Sequence, residues 1–249
     1  MQRKQMIDFA WENGITSLDF TRSNQLKMKC YRNDATCAHY NLALEEQIFN
    51  EYSGGGDFFM LWRNKSAVIV GQNQIIANEV DEPYAEANGI QIVRRITGGG
   101  AVYHDLGNVN YTYIGRKAEK FGNFLEFALP IIEFLCSLGV EAKHIGNNDI
   151  GIAMSDASVR KISGGAQAVR GEYILHHGTL LFDTDISVLE RVLIPDPAKL
   201  SRKGIKSVRS RVCNVSEYVH MTRDEFWEKI CSYFNTVPAV SLATRLTLY

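Results

Sequence analysis

Residues 94–108 read RRITGGGAVYHDLGN, two adjacent arginines and three consecutive glycines followed by a histidine and an aspartate. Three glycines in a row strip the side chains from a short length of backbone, so a ligand can come against the main-chain N–H groups. Unpaired donors in such a loop form an anion cradle, and a neighbouring cation adds charge to it. Arg94 and Arg95 end a β-rich run and point to opposite faces, one toward the ligand side and the other toward solvent or an acidic partner. The stretch is neither G-x-x-x-x-G-K-[ST] nor G-x-G-x-x-G, since no Lys-Ser/Thr follows and no helix begins after Gly100. That argues against a P-loop or a Rossmann dinucleotide site. Taken alone, a triple glycine is more often a flexible or tightly turning loop; SGGGD at 53–57 lacks flanking arginines and receives no function.

Three further stretches hold residues able to do chemistry. Lys161, in VRKISGGAQ, stands beside Ser163, Gly164 and Gly165. It is either a solvated strand-end charge or a compact cation placed where a carboxylate oxygen attacks an α-phosphate. His176 and His177, in HHGTLLFD, have no third metal ligand at suitable spacing, so a hydrogen-bonding or packing role is expected. Asp149, in GNNDI, either turns the chain or holds Mg²⁺ against phosphates.

The elements that must position these residues follow from periodicity. LKMKCYR reads as a strand and HYNLALEEQIFNEY as an amphipathic helix with Leu42, Leu44, Ile48 and Phe49 on one side. FFMLWRN and SAVIVGQ are β-rich runs whose NKS connection signals a hairpin. A helix over VDEPYAEANG closes at Gly89, and IQIVRRI is a buried strand leading into the glycines. NVNYTYIG alternates like a strand, and GNFLEFALPIIEFLCSLGV reads as a helix ended by Gly139, with Pro130 kinking it or marking its first turn. DIGIAM, RKISGGAQAVR and YILHHGTLLFD predict three more strands, and ISVLERVL and RDEFWEKICSYFN two more helices. Strands outnumber helices and short turns join many of them, which predicts an α+β fold with a mixed, largely antiparallel sheet flanked by helices.

Composition sets the outer limits. With 249 residues, 45% of them hydrophobic, the chain can bury a sizeable core as one large domain or a domain with an appendage. Lys plus Arg is 27 against 28 for Asp plus Glu, so a net charge of -1 offers no global attraction to nucleic acid or an anionic membrane. An anionic ligand must be held locally. The five cysteines show no CxxC pair and no metal-ligand spacing, and no apolar run reaches the ~20 residues that cross a bilayer. A cytoplasmic protein without a membrane span is expected.

Taken together and in order, YNLALEE, LWRN with AVIVGQNQ, RRITGGGAVYHDLGNVNYTY, NDI, RKISGGAQ, HHGTLLFDTD and KGIKSVRSRVCNV resemble the catalytic domain of lipoate-protein ligases. That superfamily is shared with biotin-protein ligases and octanoyl transferases. The resemblance runs over roughly residues 26–235; chance explains one of the motifs, not all seven. It implies a class II aminoacyl-tRNA synthetase-like fold and a two-step reaction. Lipoate and ATP give lipoyl-AMP, and the lipoyl group then passes to a lysine on lipoyl domains of 2-oxoacid dehydrogenase E2 subunits or on the glycine cleavage H protein.

By the resemblance, Lys161 is the catalytic residue. ATP binding falls on Arg95, Gly100, Ala101, Val102, Tyr103 and Lys161, and lipoate binding on Arg95, Gly98, Gly99, Lys161, His177 and Gly178. Asn108 and Asp149 would hold phosphate or its Mg²⁺, with Asp149 as the metal contact. AVIVG, the Tyr113 region and GTLL are candidates for an apolar slot for the lipoyl chain, while His104 and Asp105 are expected to lock the turn. Residues 1–25 are expected to be an N-terminal extension and 26–249 the catalytic domain without the family's C-terminal accessory domain. A separate accessory protein is then a possible partner. The rival readings are a transferase that works without ATP through a thiolate, a transferase acting only from preformed acyl-AMP, a biotin ligase, and a binder without activity. No cysteine lies close to Lys161 in sequence, and Cys213, in RSRVCNV, reaches it only if the fold brings it there.

Overall fold

The computed structural model describes residues 28–54, 56–154, 158–194 and 212–238. The expected extension over 1–25 and most of KGIKSVRSRVCNV lie outside the described residues. The strands predicted around the glycine stretch all form, and they are shared between two sheets. The larger runs β11-β1-β2-β6-β10-β9-β8-β7, built from β1 (Lys29–Asn33), β2 (Phe58–Trp62), β6 (Asn108–Gly115), β7 (Ala142–Ile145), β8 (Asp149–Ala153), β9 (Val159–Arg170), β10 (Tyr173–Leu181) and β11 (Val237–Pro238). From β2 across to β7 every pairing is antiparallel; β1 pairs in parallel with both β2 and β11. The smaller sheet orders β4 (Gln91–Arg94), β3 (Ala67–Val70) and β5 (Val102–His104) as β4-β3-β5.

One expectation fails here. The two runs joined by NKS form no hairpin, because β2 pairs with β1 and β6 while β3 pairs with β4 and β5. Every residue of β2 and of β3 is buried, so each strand needs cover on both faces and neither has a wet face to spare. The chain changes sheet at a polar corner. Asn64, fully buried, accepts at Oδ1 from Asn41 Nδ2 at 2.8 Å and meets His104 Nδ1 at 3.1 Å through its own amide nitrogen. Asn41 also donates to the carbonyls of Ala35 and Arg63 and accepts from Asn33.

The helices are α1 (Ala38–Glu51), α2 (Ile76–Glu79), α3 (Glu82–Ala87), α4 (Phe124–Ser137), α5 (Ile186–Val192) and α6 (Arg223–Tyr233). In α1 the predicted side, Leu42, Leu44, Ile48 and Phe49, is buried, and Asn41 and Glu45 go under with it. Pro130 sits inside α4, where it removes one intrahelical donor. Gly139, at φ +83, ends that helix's turn, and Gly89, at φ +62, follows α3 as predicted.

Three apolar clusters fill the layers. One face of the large sheet packs on α4 and α6 through Phe134, Phe182 and Phe226. Its other face meets α1 and the inner side of the small sheet through Leu42, Trp62, Ile69 and Leu175. The outer side of the small sheet is covered by α3 and α5 through Val68, Ala85, Tyr103 and Leu189. Each large side chain so buried stabilises the fold by about 1.5–3 kcal/mol. Among the described residues no helix is long and apolar enough to cross a membrane.

The corner makes a stability prediction. Asn41→Ala leaves the amide of Asn33, the Asn64 Oδ1 and two backbone carbonyls short of a buried partner. Stability should fall by about 3 kcal/mol, read from the urea midpoint. A loss below about 1 kcal/mol would show that the corner is dispensable.

Candidate functional site

Strand register decides which predicted residues share a face. Thr112 of β6 lies opposite His177 of β10, which lies opposite Ala166 of β9; one step along, Asn110 lies opposite Thr179. Gly164 donates its N–H to Thr179 Oγ1 and faces Asp149 of β8, and Asn108 follows Asn110 on the same side of β6. This is the face toward α1 and the small sheet. The alternate residues, Tyr111, Tyr113 and His176, face α4.

Lys161 reaches the first face because β8 and β9 slip out of register between Ile150 and Gly151. Its Nζ lies 2.7 Å from Asp149 Oδ1, both side chains mostly buried. The ammonium folds over the bare Cα of Gly164, where an added Cβ would stand 2.5 Å from Nζ. A side chain at 164 would therefore displace the lysine head from this position.

The glycine loop is held onto this face from below. Arg95 is buried and donates from Nε to Thr97 Oγ1 at 2.9 Å, from Nη1 to the Ile69 carbonyl at 2.9 Å, and from Nη2 to the carbonyls of Gly98 and Gly100 at 2.8 Å. Burial pulls its guanidinium down to about 10, with Glu45 and Glu79 opposing that shift. Arg94 points the other way, as expected, and ties the carbonyls of Gly71, Gln72 and Gln74. The two loops touch backbone to backbone. A Cβ on Gly71 would stand 1.8 Å from the Gly99 carbonyl oxygen, and Gly99 itself needs φ +96.

Thr97 carries the loop into the large sheet. Its hydroxyl meets His177 Nε2 at 2.8 Å, and His177 Nδ1 meets the buried Glu45 carboxylate at 2.9 Å. The same carboxylate accepts from Thr112 Oγ1 at 2.5 Å, and Thr112 accepts from Trp62 Nε1 at 2.8 Å. At the loop's far end the Ala101 N–H donates to Glu79 Oε2 at 2.7 Å. Thr97, Glu45, Thr112 and Glu79 were not singled out from the sequence.

Not every predicted residue joins this group. Tyr103 lies in β5 with its side chain in the outermost cluster and its hydroxyl 3.3 Å from Ser66 Oγ; beside it Val102 pairs with Ile69 and Ala101 packs against the outer cluster. Gly178 is bare toward the other layer, where the ring of Tyr111 fills the space of a Cβ. Asn108 is fully buried and donates to Asn110 Oδ1 at 2.8 Å. Asp105 locks the turn as expected, accepting from the N–H groups of Gly107 and Asp185, both at 2.8 Å. The segments suggested for an apolar slot are packed core instead: Ala67 to Val70, Leu180, Leu181 and Tyr113 are all buried. A cleft of about 600 Å³ opens elsewhere, beside Gly98, between Phe49, Gln72, Ile96, Phe121 and Ala168.

The fold does bring Cys213 to Lys161, but only by the backbone. The Cys213 N–H donates to the Lys161 carbonyl at 3.0 Å, while the side chain is buried in the cluster on α4 and α6. Burial pushes this thiol up to about 11, so it is protonated and turned away from the lysine's amino group. Among the described residues no three His, Cys, Asp or Glu side chains are placed to hold a metal ion. A lone carboxylate such as Asp149 matches the donor set of a Mg²⁺ that arrives bound to phosphates.

Residues 37–235 match the family described as the lipoyl protein ligase A/B catalytic domain. The chain is 42% identical over 200 residues to lipoate-protein ligase LplJ of Bacillus subtilis (strain 168), across 79% of this chain and 59% of that protein. It is 40% identical over 189 residues to lipoate-protein ligase 1 of Staphylococcus aureus (strain Mu50), across 76% and 56%. It therefore spans little more than half the length of these relatives. A solved chain from a bi-partite lipoate protein ligase of Thermoplasma acidophilum, studied with its E2 lipoyl domain, superimposes with a TM-score of 0.70 at 30% identity over 85% of this chain and 86% of that one. A lipoate-protein ligase A bound with ATP superimposes with a TM-score of 0.69 at 28% identity over 84% of each chain.

Two histidines of these motifs make the fold acid-sensitive. Burial drives both His104 and His176 down to about 3, with the charge of Arg95 and the neighbouring His177 adding to the effect at His104 and His177 alone adding to it at His176. The unfolded chain takes up those protons near pH 6.5 and the folded chain refuses them, so stability present above that pH is lost as pH falls toward 3. Between pH 7 and 5 the loss should be about 2 kcal/mol per histidine in urea unfolding, and His176→Phe should remove about half of the pair's contribution. An unchanged pH slope in that variant would refute the assignment.

Proposed function

The chain belongs to the lipoyl protein ligase A/B catalytic-domain family, and on that premise we propose that it activates lipoate with ATP and transfers the lipoyl group to a protein lysine. In the first step a lipoate carboxylate oxygen bonds to the α-phosphorus of ATP and the bond to the β-phosphate breaks, releasing pyrophosphate. In the second, the acceptor's ε-amine attacks the acyl carbon of lipoyl-AMP, an amide forms, and AMP leaves with the proton shed by the amine.

The observation that carries the reading is the Lys161 ammonium, folded over Gly164 and held 2.7 Å from Asp149 on the sheet face to which the glycine loop is tied. A compact cation there offsets the negative charge gathered when a carboxylate approaches a phosphate. The 98–101 backbone supplies N–H donors for the phosphates, and Arg95 keeps that backbone in shape. Rate then comes from positioning and electrostatics, without a covalent enzyme intermediate. Asp149 is the residue to meet Mg²⁺ carried in on ATP, with Asn108 as the other candidate near the phosphates. The cleft beside Gly98, walled by Phe49, Ile96 and Phe121, offers room for an apolar chain. Cys213 gives the thiolate route no support, since its thiol is buried in the opposite layer.

For the acceptor we favour the lipoyl domains of 2-oxoacid dehydrogenase E2 subunits, with the glycine cleavage H protein as a further candidate. The E2 lipoyl domain named with the Thermoplasma acidophilum ligase supports the first, and that ligase's bi-partite make-up makes a separate accessory protein worth adding to the assay. We assign the reaction to the cytoplasm, where its free cysteines would stay reduced.

The test is a mass spectrum of an E2 lipoyl domain incubated with the chain and either lipoate plus Mg·ATP or preformed lipoyl-AMP. Both reactions should lipoylate the domain. Lys161→Ala should abolish the ATP-driven reaction, whereas Cys213→Ser should keep it. Modification from lipoyl-AMP alone would restrict the chain to transfer, and an inactive but folded Cys213→Ser would restore the thiolate route.

A further inference from the structure

The chain of hydrogen bonds under the glycine loop has a direction. With the proton of His177 on Nδ1, Arg95 Nε donates to Thr97, Thr97 donates to His177 Nε2, His177 donates to Glu45, and Trp62 donates to Thr112, which donates to Glu45. Every donor meets an acceptor, and all six side chains are buried. The chain starts on a guanidinium and ends on a carboxylate, so its two ends are fixed by charge and no link can reverse without orphaning a neighbour. Within this chain of side chains Thr97 joins the half anchored in α1, β2, β6 and β10 to the guanidinium that holds Gly98 and Gly100.

Resting on the proposed ligase reading, we propose that Thr97, backed by Glu45, is a positioning residue. It holds Arg95, and through Arg95 the 98–100 backbone, in the conformation that receives the nucleotide, and so sets affinity for ATP without touching the reacting atoms. Without that link the loop samples other shapes, and apparent affinity falls in proportion to the fraction of chains still competent. Once ATP is bound the loop is already ordered, so turnover at saturation should change little.

The paired variants are Thr97→Val, which keeps the shape and removes the hydroxyl, and Thr97→Ser, which keeps the hydroxyl. Lipoate-dependent pyrophosphate release should show an ATP KM raised about tenfold or more in Thr97→Val, kcat within about threefold, and near wild-type values in Thr97→Ser. Amide hydrogen exchange over 97–101, measured without ligands, should quicken in Thr97→Val and not in Thr97→Ser. Unchanged exchange in Thr97→Val overturns the proposal, as does faster exchange with an unchanged KM. A wild-type chain that releases no pyrophosphate sinks the ligase reading and with it the link to ATP affinity, while the exchange comparison still decides whether Thr97 holds the loop. Should Thr97→Val not fold, Glu45→Gln replaces it, since it removes the negative charge that ends the chain and sets an NH2 donor in place of one of the two oxygens that meet His177 and Thr112; an unchanged KM and unchanged exchange there overturn the proposal equally.

Discussion

A loop of three glycines has no side chains with which to hold itself, and this is the constraint around which the rest of the site is arranged. Glycine loses more conformational freedom on ordering than any other residue. Something outside the loop has to offset that cost. Here it is one buried guanidinium, donating to Gly98 and Gly100 on one side and to Ile69 and Thr97 on the other. A buried arginine would itself be costly if isolated. The carboxylates of Glu45 and Glu79 oppose the loss of its charge, the first through Thr97 and His177, the second from α2 at the loop's end.

The same economy divides the large sheet into two faces with different duties. Toward α4 and α6 it carries aromatic and aliphatic core, including Cys213 and the ring of Tyr111 that covers Gly178. Toward α1 and the small sheet it carries Lys161, Asp149, Asn108, Thr112 and His177. Alternation along a strand sends neighbours to opposite faces, so His176 and His177 have separate fates. The first is stacked between aromatic rings and the second is a link in the polar chain. The irregularity between β8 and β9 is what turns Lys161 toward the polar side.

Much of this was legible in the sequence, and the gaps have physical reasons. The strands, the α+β class and the principal helices followed from alternation and apolar stripes. The hairpin between β2 and β3 did not form, because a short polar connection looks the same whether it reverses the chain within one sheet or passes it to another. Only full burial of both strands separates the two cases, and four or five apolar residues hint at it without deciding. Lys161 and Asp149 stood out as charges beside glycines, but nothing local announces that they pair. Glu45 did leave a signal. It falls on the apolar stripe of α1 between Leu42 and Ile48, and a carboxylate at such a position must go under with the stripe and find partners there. Thr97 left none, since a threonine before glycines reads as loop.

The electrostatics of the finished site follow from the same pairing. Net charge near zero means that any anion is attracted by local groups alone, yet those groups are already engaged: Lys161 with Asp149, the Ala101 N–H with Glu79 and Arg95 with backbone carbonyls. An arriving anion therefore exchanges with internal carboxylates instead of filling an empty cradle. Exchange favours a ligand with several charges on a rigid frame over a single carboxylate or chloride, because only the former can replace more than one internal partner at once. By the proposed reading, a polyphosphate bearing its own divalent cation would meet both needs: its oxygens would take the lysine and the backbone donors, and the cation would take the released Asp149. On that reading, selectivity for such a ligand would come from what the site already holds, and the internal carboxylates that compete with it would be what keeps weaker anions out.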